Sequence, residues 1–349
     1  MQQQIIGWDI GGAHLKAALL DSEGKVLDIA LYSCPLWKGM DYLRQAVQAV
    51  LQQFQCRECR HALTMTGELV DLFAGREQGV REIVAAMQDF LSPDSCWIYA
   101  RQRGFLSATT SLSKQDCLDI ASMNWLASAL LAAQRVDAGL FVDIGSTTTD
   151  ILLFADDKVA PLGSTDYQRL VSSELVYTGI VRTPVMALAR QAVFKGRSMG
   201  LMAEYFATMA DVYRLTGDLK EVHDQSETAD GGEKTPLASA RRLSRMTGYD
   251  FVEEDWSLWL DFAKHLKDIQ KRQIGEGCLK QLSRLSRLDN VQLVGAGIGR
   301  FLVKEIANEF GYVYRDFNEL IGDVESDVEI DSGDCAPAVA VASLALRVC

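Results

Sequence analysis

One pattern occurs twice in this chain. The segment IIGWDIGG reads as an apolar strand ending in Asp9-Ile-Gly, HLKAALLD as a second strand and KVLDIALY as a third, with turns at Gly11-Gly12 and at Ser22-Glu23-Gly24. GLFVDIGSTTTDILLFADDKVAPLG repeats that order: an apolar strand, Asp143-Ile-Gly, a small-residue turn, a second strand, a turn at Asp156-Asp157 and a third strand. With Asp9 set against Asp143 the copies stand about 134 residues apart, and a repeated supersecondary unit predicts two related lobes facing each other. Both copies are antiparallel meanders, whereas a dinucleotide-binding unit follows its glycine loop with a helix.

The rest of the chain supplies helices and further strands, so the class is α/β. Leu43, Val47, Val50 and Leu51 recur at helical spacing and predict a helix over 41–54. A strand near 62–66, a helix over 78–91 and a strand near 96–99 follow, and the first lobe is expected to end near residue 105. Residues 114–135 read as one long amphipathic helix, and 184–216 as helical with an interruption between Gly196 and Gly200. The polar stretch after it carries carboxylates at 218, 221, 224, 227, 230 and 233, which suits a mobile or cleft-lining loop or a solvated acidic surface. Helices are expected again at 235–246, 255–272 and 275–288, then a strand, glycine turn and helix in VQLVGAGIGRFLVKEIANEFG. The expected division is 1–105, joined by a buried C-terminal helix at 335–349, and 106–334 as the second lobe with its helical insertion.

A chain of 349 residues with 48% in the hydrophobic group and only 6 prolines can bury two cores. Its formal net charge of −12 disfavours the broad phosphate-tracking surface of a nucleic-acid binder, while leaving room for a local basic pocket that holds a small anion. No basic segment precedes an apolar run at the start, and no run of eighteen apolar residues occurs, so a cytoplasmic protein without a membrane span is expected. Apolar helices serve a core or a partner surface, and a homodimer is one assembly they permit. The eight cysteines are then expected to be reduced and mostly buried. Cys56 and Cys59, with His61 beyond, have the spacing of half a zinc site and lack a second pair, so zinc, redox chemistry and an incidental pair all stay open.

Three glycine turns carry the chemistry. In the first, Gly11 and Gly12 let backbone N–H groups approach phosphate oxygens, Asp9 at the strand end can hold Mg²⁺ directly or through water, and Lys16 offers positive charge. An ordinary glycine hairpin is the alternative. In the second, Gly145 opens a turn whose Ser146, Thr147 and Thr148 hydroxyls add donors, and Asp150 orients a cation or caps the turn. The third is Gly295-Ala-Gly297-Ile-Gly299-Arg300, whose glycines allow a planar group to lie on backbone and whose arginine can assist phosphate. A tight strand-to-helix turn explains the same residues.

WDIGGAHLKAALLD at 8–21, FVDIGSTTTDILLF at 141–154 and VQLVGAGIGR at 291–300 resemble the phosphate-one, phosphate-two and adenosine motifs of the actin, heat-shock protein and sugar-kinase superfamily. That resemblance implies a two-lobed, ribonuclease H-like actin-like ATPase/sugar-kinase fold with a central cleft. ELVYTGIVRTPVMAL, MAEYFATMADVYRLTG and TADGGEKTPLASARRLSRMTGYD extend it over nearly the whole chain, which is similar to hydantoinase/oxoprolinase-related proteins linked to tetrahydromethanopterin-dependent one-carbon transfer.

Membership of that group implies a transferase of methanofuran-type cofactor biosynthesis. It would join an aminomethylfuran bearing a methyl diphosphate to the phenol of γ-glutamyltyramine or a tyrosine-type acceptor, forming an aryl ether and releasing diphosphate. The phosphate loops would then hold a leaving group, with Asp9 and Asp143 organising Mg²⁺. Asp150 or Asp211 would take the phenolic proton, and Arg182, Arg241 and Arg242 would bind anionic substrate groups, structural pairing being the alternative for each. His14 reads as an outward turn residue. An ATP-dependent small-molecule kinase of the same fold and a non-catalytic nucleotide sensor are the competing readings; product analysis with ATP separates the first, and binding without turnover the second.

Overall fold

The computed structural model describes residues 4–56, 58–285, 290–322 and 329–348. The chain divides into two compact units, one of residues 1–141, 154–160 and 315–349 and one of 142–153 and 161–314. The sequence placed the change of lobe near residue 105, whereas the first unit runs on to Phe141.

In the first unit, β1 (Ile5–Ile10), β2 (His14–Leu20), β3 (Val26–Ser33), β4 (Arg60–Met65), β5 (Cys96–Tyr99) and β6 (Phe105–Ser107) form one sheet in the order β3-β2-β1-β4-β5-β6. The meander β1-β2-β3 is antiparallel, β4 and β5 add in parallel, and β6 turns back. Every residue of β1 is buried, as expected of a central strand covered on both faces. Helix α1 (Met40–Phe54) presents Leu43, Val47 and Val50 to this core, and α2 (Arg76–Gln88) presents Val80, Ile83 and Met87.

The long helix expected at 114–135 is two helices, α3 (Lys114–Ile120) and α4 (Asn124–Ala133). The break is at Ser122, which takes a left-handed φ of 54° and donates its hydroxyl to the buried Glu68 at 2.6 Å.

A second sheet contains β7 (Ala138–Ile144), β8 (Thr149–Ala155), β9 (Lys158–Val159) and β10 (Leu175–Val176), reached through α5 (Asp166–Ser172). The expected turn at Asp156-Asp157 has φ of 52° and 60°, and the third strand is cut to two residues, closing before Pro161, which has no N–H to donate. With two later strands, β13 (Gln292–Ala296) and β14 (Val313–Asp316), the sheet order is β10-β8-β7-β13-β14, β9 also pairing with β8. Outward from β1 the first sheet adds three later strands, β4, β5 and β6, and outward from β7 the second adds two, β13 and β14.

Between β10 and β13 the expected helix at 184–216 is replaced by a short helix α6 (Val185–Leu188), a hairpin of β11 (Gln191–Phe194) and β12 (Arg197–Gly200), and helix α7 (Met209–Thr216). Lys195-Gly196, both at positive φ, form the two-residue turn of a hairpin rather than a helix interruption. Helix α8 (Pro236–Thr247) matches its expected span. The two helices expected at 255–272 and 275–288 are one, α9 (Trp256–Leu282), because Leu266, Gln270, Ile274 and Cys278 continue one buried stripe through Gly275. The expected end at 286–288 lies outside the described residues, as does Cys349.

After α10 (Arg300–Phe310) and α11 (Phe317–Ile321), the chain closes in α12 (Ala336–Ala345), which packs on β1, β2, β4 and α4. A Cβ at Gly7 would fall on the Ala338 carbonyl and 2.8 Å from the Ala342 Cβ, so only glycine in β1 permits this approach.

Cys56 and Cys59 are bonded to each other, correcting the expectation of reduced thiols there, and Cys34, Cys96, Cys117, Cys278 and Cys335 are free and buried. Among the described residues no three His, Cys, Asp or Glu side chains form a metal-binding group, and no helix is long and apolar enough to cross a membrane.

Candidate functional site

The second unit brings two of the three glycine turns together. Strand β7 delivers a buried Asp143, and the turn closes with Gly145 N–H donating to the Thr148 carbonyl at 2.9 Å. The Gly145 carbonyl accepts from Ile180 N–H, and that of Ser146 from Val181 and Arg182 N–H at 3.1 and 2.8 Å. These bonds set the turn against 179–182 and hold Arg182 next to it.

The Gly295–Arg300 turn lies on the same strand end. Gly299 N–H donates to the Ile144 carbonyl at 2.9 Å, and Arg300 bonds its own turn at the Gly297 carbonyl, 3.1 Å. Gly297 has φ 77°, and a Cβ there would collide with the Asp143 carboxylate and the Ile144 backbone. Asp143, Gly145, Ser146, Thr147, Thr148, Gly295, Gly297, Arg300 and Arg182 therefore share one neighbourhood.

Other candidates hold structural pairs. Asp150 orients the buried Arg169, whose fork also reaches the Glu174 carbonyl. Asp211 caps α7 through Thr208 N–H, accepts from Ser239 Oγ at 2.8 Å, and pairs with Arg242 Nε at 2.7 Å. Both of its oxygens are engaged within the protein, the paired structural role that the sequence offered as the alternative to proton transfer. Arg242, 1% exposed, is neutralised by Asp211 and Asp230 rather than offered to a substrate anion, and Arg241 lies exposed over the Phe251 ring.

Next to the Ser146 turn a cavity of about 260 Å³ opens between the 181–182 segment, α7 and the acidic segment after α7. Its walls include Arg182, Tyr205, Thr208, Arg214, Asp224 and Glu227. Arg214 is bound by Glu221 at 2.7 Å and Asp224 at 2.5 Å, and Lys234 also pairs with Asp224 at 3.4 Å. Burial alone would lower the Arg214 pKa, but the bonds to Glu221 and Asp224 prevail and raise it. The acidic stretch is thus a cavity wall tied down by basic side chains. Burial raises the pKa of the Tyr205 phenol, nearby Arg182 opposes the rise, and Asp211 and Asp224 add to it.

Sequence reasoning missed Tyr205, Thr208 and Arg214 as wall residues. Arg214 follows Asp211 by three positions on the buried face of α7, opposite a run of carboxylates, and that pairing was the available signal.

In the first unit, Asp9 is buried on β1 with Lys16 and Thr64 as register partners, so all three share one face of the sheet. Gly11 N–H closes the turn on the His14 carbonyl at 3.0 Å, with Gly12 beside it. Asn124 Nδ2 donates to Asp9 at 3.5 Å, and Lys16 Nζ donates to the Asp334 carbonyl at 2.8 Å. Thr64 Oγ1 is fully buried with no hydrogen-bond partner among the described residues. A carboxylate beside an orphaned hydroxyl is an oxygen donor set suited to Mg²⁺, which takes one or two carboxylates and completes its shell with water and phosphate. Asp143 and the hydroxyls of its turn make an equivalent set in the second unit.

A family model described as hydantoinase/oxoprolinase matches residues 60–320. The (4-{4-[2-(gamma-L-glutamylamino)ethyl]phenoxymethyl}furan-2-yl)methanamine synthase of Methanocaldococcus jannaschii is 31% identical over 316 residues, 90% of this chain and 91% of that protein. The protein of the same name from Methanococcus vannielii is 29% identical over 186 residues, 52% of this chain and 80% of its own length. Among solved structures, nucleotide-free acetone carboxylase superposes with a TM-score of 0.56 at 8% identity, covering 89% of this chain and 68% of that one. That likeness concerns fold alone, the fold of the actin-like ATPase and sugar-kinase class.

Proposed function

The chain belongs to the hydantoinase/oxoprolinase family, and from that premise we propose that it is a transferase of methanofuran-type cofactor biosynthesis for tetrahydromethanopterin-linked one-carbon transfer. It condenses an aminomethylfuran-methyl diphosphate with the phenol of γ-glutamyltyramine or a tyrosine-type acceptor and releases diphosphate. The observation that carries this reading is the oxygen-rich turn of Ser146–Thr148 beside Asp143, packed on the Gly297 turn, in a chain related to the named synthase over 90% of its length.

The CH₂–O bond to diphosphate breaks, the phenolic oxygen bonds to that methylene, and the phenolic proton is released. Negative charge grows on the departing oxygen, so donors aimed at it in advance lower the barrier. Ser146, Thr147 and Thr148 supply hydroxyls, and Arg182, whose backbone N–H is bonded to the turn, supplies a cation. Gly11 and Gly12 offer the corresponding turn in the first unit. Mg²⁺, when bound, would neutralise phosphate charge; Asp143 is the carboxylate that would hold it at the second unit's turn, and Asp9 is the equivalent carboxylate of the first unit's own turn. Asp150 and Asp211 act as positioning residues through Arg169 and Arg242.

The test is to incubate the protein with Mg²⁺, the furan diphosphate and γ-glutamyltyramine, and to look for the aryl ether by mass spectrometry. Ether formed in step with diphosphate is the expected result. Diphosphate release without ether, or neither product, contradicts the proposal.

A further inference from the structure

Helix α5 is turned inside out. Tyr167, Leu170 and Val171 recur at helical spacing on one face, and that face points to solvent, with exposures of 76%, 47% and 64%. The opposite side carries Arg169, 2% exposed, which is bound by Asp150 and by the Glu174 carbonyl. A surface helix normally turns its apolar stripe inward and its charge outward. Here the buried ion pair fixes the reverse, because rolling the helix to bury Tyr167 would strip Arg169 of both partners. Neighbouring segments widen the apolar face and hold it in place. The buried Glu174 carboxylate accepts from Leu162 N–H at 2.7 Å, Gly163 N–H at 2.9 Å and Ser172 Oγ at 2.8 Å, and pairs with Arg284 just beyond α9 at 3.5 Å. It thereby sets the exposed Leu162 beside α5. Lys280 on α9 donates to the Val171 carbonyl at 3.0 Å and to Ser173 Oγ at 3.1 Å, which brings the exposed Leu279 alongside.

We infer that this face is an interface between two copies of the chain, α5 against α5 across a two-fold axis. Such a contact sets a patch against itself, so a charge near the axis would meet its own like. Leu162, Tyr167, Leu170, Val171 and Leu279 carry none, and Lys280 at the edge is turned to a carbonyl and a hydroxyl. Two copies of net charge −12 repel each other over most of their surfaces, and an uncharged face is where their approach is least opposed. The five side chains expose on the order of 500 Å², which with rim atoms approaches the roughly 600 Å² that each partner buries in the smaller specific interfaces. A membrane surface would call for a ring of basic side chains about the apolar face, whereas Glu276 and Lys280, one turn apart on α9, border this one with both signs. None of the five side chains belongs to the glycine turns or to the cavity, so the contact stands or falls independently of the transferase reading.

Sedimentation velocity of the intact protein tests the contact. Wild type should sediment as a dimer at micromolar concentrations. With Val171 at the centre of the patch, Val171→Asp and Val171→Lys each set like charges opposite one another. Each variant alone should be a monomer with the helix content of wild type by circular dichroism. Mixed in equal amounts, the two should recover the dimer, because aspartate then faces lysine, and recovery also shows that both are folded. Tyr167→Ser, which adds no charge, should weaken the dimer about tenfold or more. A wild type that stays monomeric, whether it floats with phosphatidylcholine vesicles, captures another protein or does neither, overturns the interface. A dimer that survives these substitutions places the contact on another face and overturns it as well, as do folded variants that stay monomeric after mixing.

Discussion

At the scale of single residues, two positions join local chemistry to the behaviour of the whole chain. Gly297 takes a left-handed φ of 77° against the Asp143 carboxylate and the Ile144 carbonyl. Gly297→Ala introduces both backbone strain and a collision, costing about 1–3 kcal/mol or more, and displaces the carboxylate assigned to the phosphate site. Urea unfolding should show that loss, and turnover should fall well beyond what the lost stability explains; wild-type turnover in a folded variant would contradict the assignment. His61 is buried beside Trp8, whose Nε1 donates to its Nδ1 at 3.3 Å, so the folded ring is neutral. Burial lowers its pKa to about 4 from the usual 6.5. Below pH 6.5 the unfolded chain binds a proton that the native state refuses, so stability falls as pH drops from 6.5 toward 4, by roughly 3 kcal/mol at the acid end. His61→Asn keeps an acceptor and removes the titration, and its stability should depend less steeply on pH over that window. An unchanged slope in urea melts would show that other groups set the acid sensitivity.

Among the elements, the joint of α7 with α8 matters most to the cavity. Asp211 at the start of α7 caps its own helix, accepts from Ser239 and pairs with Arg242 on α8, all beneath the surface. Asp211→Ala leaves the Arg242 charge buried without that partner, which costs about 3–5 kcal/mol. Asp211→Asn keeps the shape and a hydrogen-bonding group, so it should recover part of the stability. If Asp211 is a positioning residue, coupling in the Asn variant follows the recovered fold; a fully folded but inactive Asn variant would return it to the chemistry as a base. The same joint shows what could be read from sequence. The meanders, α1, β4, β5, α8 and the strand-turn-helix at 292–310 announced themselves through periodicity and glycine turns. The β11–β12 hairpin did not, because QAVF and RSMG are short and Lys-Gly is an inconspicuous turn. Nor did the break at Ser122, which depends on a partner, Glu68, 54 positions earlier. Asp211 and Arg242 looked like site residues because buried charge pairs and catalytic charges share one sequence signature.

For the molecule as a whole, the repeated motif accounts for the antiparallel strands each sheet is built on, and in the second unit a long stretch separates them from the later strands. That stretch provides Arg182, Tyr205 and the acidic wall of the cavity. In the proposed reaction, phosphate-binding turns of an ATPase-type architecture hold a departing diphosphate. Phosphorus NMR of the protein with Mg²⁺, furan diphosphate and γ-glutamyltyramine, with and without ATP, tests it most directly. Free diphosphate should equal the ether formed when ATP is omitted, and ATP should stay unconsumed when it is present. Ether that forms only as ATP is consumed, or ATP consumed without ether, would contradict it and return Asp9 and Asp143 to phosphoryl transfer from ATP.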